Sequence, residues 1–305
     1  AKALAVHLTQ HHMLPLARTG ELFGDIFGLP LTDAAILTMR DEAVEKFQPT
    51  AQAIKDGVLA APVIHPDETG MRAVMKLHWL HVVATSLLTW MSAHAKRGQK
   101  AMDEAGILPH YTGITVHDCW HPYWDYGCTH SVCNAHIGRE LVFAHEVVKQ
   151  KWAKQMKTLL WSANRDVKRT GKPLRAELLA RYHTNYDRLL EEGERANPTP
   201  PKTGKRGRQK RSKVGNLVAR MKLRKTEIWR FATTAGVPFT NNLAEQAVRM
   251  PKVKQKVSGC FRTKAGLDAF CLIRSCLATV KKQGGDVLAA LTDVFCDRPL
   301  ALRMA

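Results

Sequence analysis

Apolar residues in the first sixty positions recur at near-helical intervals. In LARTGELFGDIFG (16–28), Leu16, Leu22, Phe23, Ile26 and Phe27 fall near one face, after a shorter apolar run at Leu4, Val6 and Leu8 and a break at Leu14-Pro15. Gly28 is placed to cap this helix C-terminally, and Leu31-Thr32-Asp33 offers an N-cap to a second helix over roughly 34–56. Two helices around a short Gly-containing turn read either as a helix-turn-helix or as an ordinary helical hairpin packed on its neighbours.

From position 61 the period shortens. APVIHPDET is extended, MKLHWLHVVAT (75–85) is rich in β-formers, and SLLTWMSAH follows closely. KRGQKAMDEAGIL (96–108) reads as a helix. YTGITVHDCW (111–120) then alternates, with Ile114, Val116 and Asp118 on one face and Thr115, His117 and Cys119 on the other. HSVCNAH (130–136) is a candidate fifth strand that runs into the helix IGRELVFAHEVVKQKW. The order strand, strand, strand, helix, strand predicts antiparallel neighbours followed by a crossover into a parallel position, hence an α/β fold.

The remainder reads as helical. Residues 150–230 are strongly charged, and ANPTPPKTGKRGRQKRSKVG (196–215) interrupts them with Pro, Gly, Lys and Arg. That composition predicts a mobile loop, either resting on phosphates or simply solvated. TEIWRFATTAG, NNLAEQAVRM and AGLDAFCLIRSCLATVKKQGG follow as helices, and Pro251 is expected to stop the second of them. The expected organisation is a helical segment over 1–60, a core over 61–149 and 231–283 split by a helical insertion at 150–230, and a tail over 284–305.

Charge then narrows the partner. Among 305 residues, Lys and Arg exceed Asp and Glu by 46 − 27 = 19, which points to a polyanion. No apolar run approaches the roughly 18 residues that a membrane helix needs. An odd count of seven Cys without a signal peptide predicts a reducing, cytoplasmic setting. The chain opens on Ala1 rather than Met, which leaves an upstream segment to be expected.

Three carboxylates stand out. Asp67 follows the extended VIHP and precedes Gly70, which can turn the chain; His65 shares its strand face and Glu68 does not. Asp118 ends the alternating run, either as a turn-starter before Pro122 or as a cleft-facing metal ligand. Glu245 lies in the first turn of a short helix, where Asn242-x-x-Glu245 is also a capping pattern and Arg249 an ion-pair partner. Carboxylates converging at a sheet edge suit Mg²⁺ or Mn²⁺, and paired ions of that kind serve in-line attack on phosphodiesters.

Two basic or metal-ligating runs flank them. PKVKQKVSGCFR (251–262), read as extended, sets Lys252, Lys254 and Lys256 on one side with Arg262 beyond, either along a DNA backbone or as a Lys-protected edge strand. Cys128, His130, Cys133 and His136 form C-x-H-x₂-C-x₂-H, tighter than the usual zinc spacings. A structural Zn²⁺ and buried Cys with supporting His are the two readings.

HPDETGMR, KLHWLHV, KRGQKAMDEAGILPHYTGITVHDCWHPYWDY, CNAHIGREL and NNLAEQAVRMPKVKQKVSGCFRT, in this order, resemble the transposases of the insertion sequence 66 family over most of 1–290. The resemblance implies a ribonuclease-H-like mixed-sheet core whose Asp, Asp, Glu triad falls on Asp67, Asp118 and Glu245, the last two 245 − 118 = 127 positions apart. It further implies a bacterial, nucleoid-associated enzyme, Mg²⁺ (or Mn²⁺), and DNA contacts from Arg249, Lys252, Lys254, Lys256 and Arg262. Partners would be transposon ends and target DNA, with a homo-oligomer formed on DNA and helper proteins of the same element as further candidates. Cys133 and His136 resemble a Cys-x₂-His pair near the active site of related transposases. Gln246 departs from the family's common Arg, and the family's upstream region is not in this chain. The competing readings are a ribonuclease-H-like nuclease without strand transfer and an inactive DNA-binding remnant.

Overall fold

Residues 1–199 and 211–304 are described in the computed structural model; the centre of the basic loop expected over 196–215, positions 200–210, lies outside them. The chain divides into two compact units. The first holds residues 1–115, 121–128 and 242–305; the second holds 116–120 and 129–241.

In the first unit, a short helix α1 (Lys2–Val6) runs into one turn of π-helix at His7–His11. Helix α2 (Leu16–Phe27) stops at Gly28, whose left-handed φ of 63° suits a residue without a side chain. Thr32 caps α3 (Asp33–Ala60) by accepting from the Ala35 N–H at 3.2 Å. That helix runs through Pro49 and buries Ile36, Ala43, Phe47, Ile54 and Val58. Strands β1 (Val63–Ala73), β2 (Lys76–Ala84) and β3 (Thr89–His94) then form an antiparallel meander, with Asp67 opposite Val82 and Ala73 opposite Lys76. After α4 (Gln99–Ala105), β4 (Ile114–His117) joins β1 in parallel through Val63–Ile114 and Ile64–Thr115. The crossover predicted from the helix between these strands is therefore present.

In the second unit, β5 (Thr129–Val132) is shorter than the 130–136 expected, because α5 (Asn134–Glu146) already begins at Asn134. Within the first unit the strands lie in the order β3-β2-β1-β4. The helix expected to run through 137–152 ends at Glu146, turns through Lys149, where φ is 61°, and resumes as α6 (Lys151–Thr170). Helices α7 (Ala176–Ala196), α8 (Lys213–Leu223) and α9 (Lys225–Thr233) pack with them. Trp229 is fully buried among Tyr186, Phe231 and His183, and Tyr186 donates from its hydroxyl to the Met221 carbonyl at 2.9 Å. Gly138 is required where α5 meets α6, since a side-chain carbon there would run into the Trp161 ring.

The first unit is completed by α10 (Asn242–Ala247), α11 (Arg249–Ser258), α12 (Lys264–Lys282) and α13 (Val287–Phe295). The expectation of an extended 251–262 run is corrected: 249–258 is helical. Pro251 does not stop a helix but sits in the first turn of α11, where a missing N–H costs nothing. Lys, Gln and Met favour helix, and among the described residues the run's strand-like pairing falls beyond the helix, where Phe261 bridges Ala73. At 100° per residue, Lys252 and Lys256 share a face while Lys254 lies across from them.

Helix α12 closes the outer edge of β3. Met91 N–H donates to Ser275 Oγ at 2.9 Å and Thr89 N–H to Thr279 Oγ1 at 3.0 Å. Lys282 Nζ donates to the Thr85 and Leu88 carbonyls at 2.9 and 2.7 Å, and burial pushes its pKa down to about 8. An otherwise unpaired edge is thereby supplied with partners. Thr279→Val keeps the shape but strands the buried Thr89 N–H, so denaturant titration should show a loss of about 1–3 kcal/mol. Unchanged stability would show that the edge does not depend on this hydroxyl.

Candidate active site

Asp67 lies in the middle of β1, not at its end. Gly70 does not turn the chain; the strand continues to Ala73 because antiparallel pairing with β2 holds it, and the turn falls at Val74-Met75. Parallel pairing with β4 covers only Val63 and Ile64, so Asp67 stands past the point where that pairing ends. Asp67, Thr69 and Met71 alternate onto one face. Met71 on that face belongs to a buried cluster with Leu80, Val82, Phe261 and Phe270. Helix α10 packs on β1 and β2, with Ala247 and Val248 against the same cluster, and carries Glu245 in its first turn. Within the first unit, then, the elements bearing Asp67 and Glu245 are packed on each other.

The neighbouring acid is the residue the sequence reading passed over. Glu68 has a side chain only 3% exposed. Arg97 donates to its Oε1 from Nε at 2.9 Å and Nη2 at 2.7 Å, and the Tyr123 hydroxyl donates to Oε2 at 2.6 Å. The Arg97 guanidinium also stacks 4.9 Å from the Trp79 ring centre. Glu68 N–H donates to Asp67 Oδ1 at 2.9 Å. Because alternate residues face opposite ways, clamping Glu68 on one face sets the direction of Asp67 on the other. The available signal was a charge on the apolar face of a strand, which must find a partner. Opposite Glu68 on β2, His81 is buried with Nε2 unpartnered, and burial pushes its pKa down to about 4.

Asp118 belongs to the second unit. Its Oδ1 accepts from Trp120 N–H at 3.0 Å, closing a turn over Cys119, whose φ of 54° is rare for a residue with a side chain. The turn uses one carboxylate oxygen and leaves Oδ2 outside it, so the turn-starting role does not exclude a ligand role. His117, just before it, is fully buried with Nε2 3.0 Å from His130 Nδ1. Burial, then His130 and Arg224, hold its pKa down to about 3. Cys133 donates its N–H to the His117 carbonyl at 2.8 Å and its sulfur accepts from Asn241 N–H at 3.1 Å. Within the first unit, Cys128 sulfur lies 3.2 Å from Thr115 Oγ1, and burial raises its pKa. His136 is half-buried in the first turn of α5. Cys133 Sγ and a His136 ring nitrogen lie within 4.8 Å of each other, within reach of a shared metal ion, so the zinc and buried-cysteine readings both stand.

The basic candidates divide by exposure. Arg249, Lys256 and Arg262 are exposed. Lys252 instead donates to the Gly70 carbonyl at 2.6 Å, and Lys254 is half-buried with Nζ 5.1 Å from the Phe261 ring centre and a pKa lowered by burial. Glu140, another acid near the sequence motifs, is bonded to Arg220. Among the described residues, no helix is long and apolar enough to cross a membrane.

The buried imidazoles predict a pH dependence. His11, His81 and His117 are held near 4, 4 and 3 against an ordinary 6.5, so the unfolded chain binds more protons throughout that interval. Stability should therefore be fully present above about pH 6.5 and fall as pH drops toward 4. Denaturant midpoints at pH 7 and pH 5 test this, and His81→Leu should flatten the slope. A midpoint independent of pH would contradict neutral burial.

Compared with known families, the chain matches the model described as "Transposase IS66 family" over residues 1–269. A search of curated proteins found no match.

Proposed function

The chain belongs to the IS66 transposase family, and from that membership we propose that it is an Asp-Asp-Glu transposase with a ribonuclease-H-like core, acting on the ends of its own element. Asp67, Asp118 and Glu245 would hold Mg²⁺ or Mn²⁺; an all-carboxylate donor set is the hard-oxygen chemistry these ions prefer. Such ions, when bound, stabilise negative charge on phosphoryl oxygens and lower the pKa of water.

The observation that carries this reading is the packing of α10, with Glu245, against the two strands that carry Asp67 and its partner Val82. One further relation supports it. An antiparallel meander joined by a parallel fourth strand is the order a ribonuclease-H-like core requires.

In the proposed reaction a water oxygen attacks the phosphorus at the transposon end, and the bond to the 3′-oxygen breaks. The freed 3′-hydroxyl then attacks a target phosphodiester, displacing a target 3′-oxygen. The carboxylates fix the positions at which that charge develops; Glu68, clamped by Arg97 and Tyr123, keeps Asp67 aimed. DNA would be held by the exposed Arg249, Lys256 and Arg262 and by the basic run of sequence over 202–213. Lys252 and Lys254 would act less directly, given their internal contacts. Gln246 would withhold a charge that the family commonly supplies. The α2–α3 hairpin is a further candidate for DNA recognition, and the working form would be a homo-oligomer on DNA.

Incubating the chain with duplex carrying its element's terminal sequence and Mg²⁺ tests the proposal. Asp67→Asn, Asp118→Asn and Glu245→Gln should each lower strand cleavage by about a thousandfold or more, since an amide is a poor partner for these ions, while DNA binding persists. Cleavage without joined products would make the chain a nuclease, and binding without either would make it a remnant. Glu245→Gln cleaving at near wild-type rate beside two inactive Asp variants would move the third ligand elsewhere.

DNA affinity should also fall steeply with salt as cations release counterions, and deleting 202–213 should flatten that slope. Gel-shift titrations over a salt series read it directly. An unchanged slope would leave the run as a solvated linker.

A further inference from the structure

The turn between β1 and β2 is built from residues that a hairpin turn disfavours. Ala73 pairs with Lys76, so the loop has two residues, Val74 and Met75, with φ of 50° and 58°. Such turns ordinarily take Asn-Gly, because both positions need a left-handed backbone. A β-branched Val in that region is an outlier. The side chains gain nothing by burial in return: Val74, Met75 and the neighbouring Leu77 are 52%, 76% and 52% exposed.

The tip is also hydrogen-bonded to a distant segment. Val74 N–H donates to the Phe261 carbonyl at 2.9 Å, and Phe261 N–H donates to the Arg72 carbonyl at 2.9 Å. Arg72 Nη1 donates to the Met75 carbonyl at 3.2 Å. Exposed cations adjoin it in the chain, Arg72 and Lys76 on either side of the turn and Arg262 next to the Phe261 that is bonded to it. Local strain, apolar exposure and adjoining positive charge together describe a surface shaped for an anionic partner with an apolar interior.

We propose that Val74-Met75 is an apolar wedge that enters the base stack of duplex DNA, with Arg72, Lys76 and Arg262 on the flanking phosphates. Duplex DNA fits because apolar side chains unstack base steps while nearby cations hold the backbone. A second copy of this chain, carrying the same cations beside the same tip, would meet like charge. The inference rests on the DNA-acting reading above and adds a place where the protein distorts its substrate.

The test substitutes the turn's preferred residues. The double variant Val74→Asn, Met75→Gly relieves the strain, so its thermal midpoint should rise. Its dissociation constant for the terminal duplex should increase about tenfold, as loss of a wedge contact implies. Duplexes carrying 2-aminopurine at successive positions should show a fluorescence maximum with the wild-type chain that the variant abolishes. Met75→Glu, at an exposed position, should lose the same signal without a folding defect. Wild-type chain that binds the duplex with no fluorescence maximum, or a variant that keeps both affinity and maximum, would overturn the wedge and leave the transposase reading intact. A variant that changes only the mass of the protein by light scattering, with DNA behaviour unaltered, would overturn it in favour of contact between copies. Wild-type chain that fails to bind the duplex at all would sink the DNA-acting reading itself, and the wedge with it.

Discussion

A buried charge is the constraint on which the candidate site depends. Glu68, with a side chain 3% exposed, is held by two Arg97 hydrogen bonds and the Tyr123 hydroxyl, the partners that a buried carboxylate requires. Those partners come from the segment before α4 and from the turn at His121–Asp125, so one carboxylate ties three parts of the first unit together. Strand alternation passes the consequence across the sheet: fixing Glu68 on one face orients Asp67 on the other. Asp67 has need of this. On the side facing β4 its strand has already lost its neighbour's pairing, which ends at Ile64.

The same economy governs the sheet's outer boundary. A lone edge strand exposes backbone donors and acceptors, and β3 would be such an edge without Ser275, Thr279 and Lys282 of α12. That helix also fills the core beneath β2 and β3 with Phe270 and Cys271, which is the face on which Asp67 and α10 lie. Polar closure of an edge and apolar filling of a face are therefore done by one element, on its two sides. The hairpin tip stands in contrast, because there the chain keeps strain and apolar exposure instead of removing them. Local rules usually fail where function outweighs them.

Much of this was legible in the sequence. The cap at Thr32, the stop at Gly28, three successive strands, the helix within 96–108 and the crossover to β4 all follow from turn residues and hydrophobic period, which act over a few residues. The motif order across the chain was also enough to indicate the family to which it belongs. What the sequence left open was decided by partners distant along the chain. Gly70 looked like a turn but stays in β1, because pairing with β2 continues past it to Ala73. The 251–262 run alternates like a strand, yet 249–258 is helical, with Pro251 in its first turn, and the strand-like pairing falls beyond it at Phe261. Lys252 and Lys254 look like free surface charges in one dimension, but tertiary contacts with Gly70 and Phe261 occupy them. Glu68 and Arg97 are 29 positions apart, and no local pattern could announce their pairing. Sequence determined the elements because propensity and capping are local; tertiary structure decided which charges are buried and paired, because desolvation depends on everything that surrounds a group.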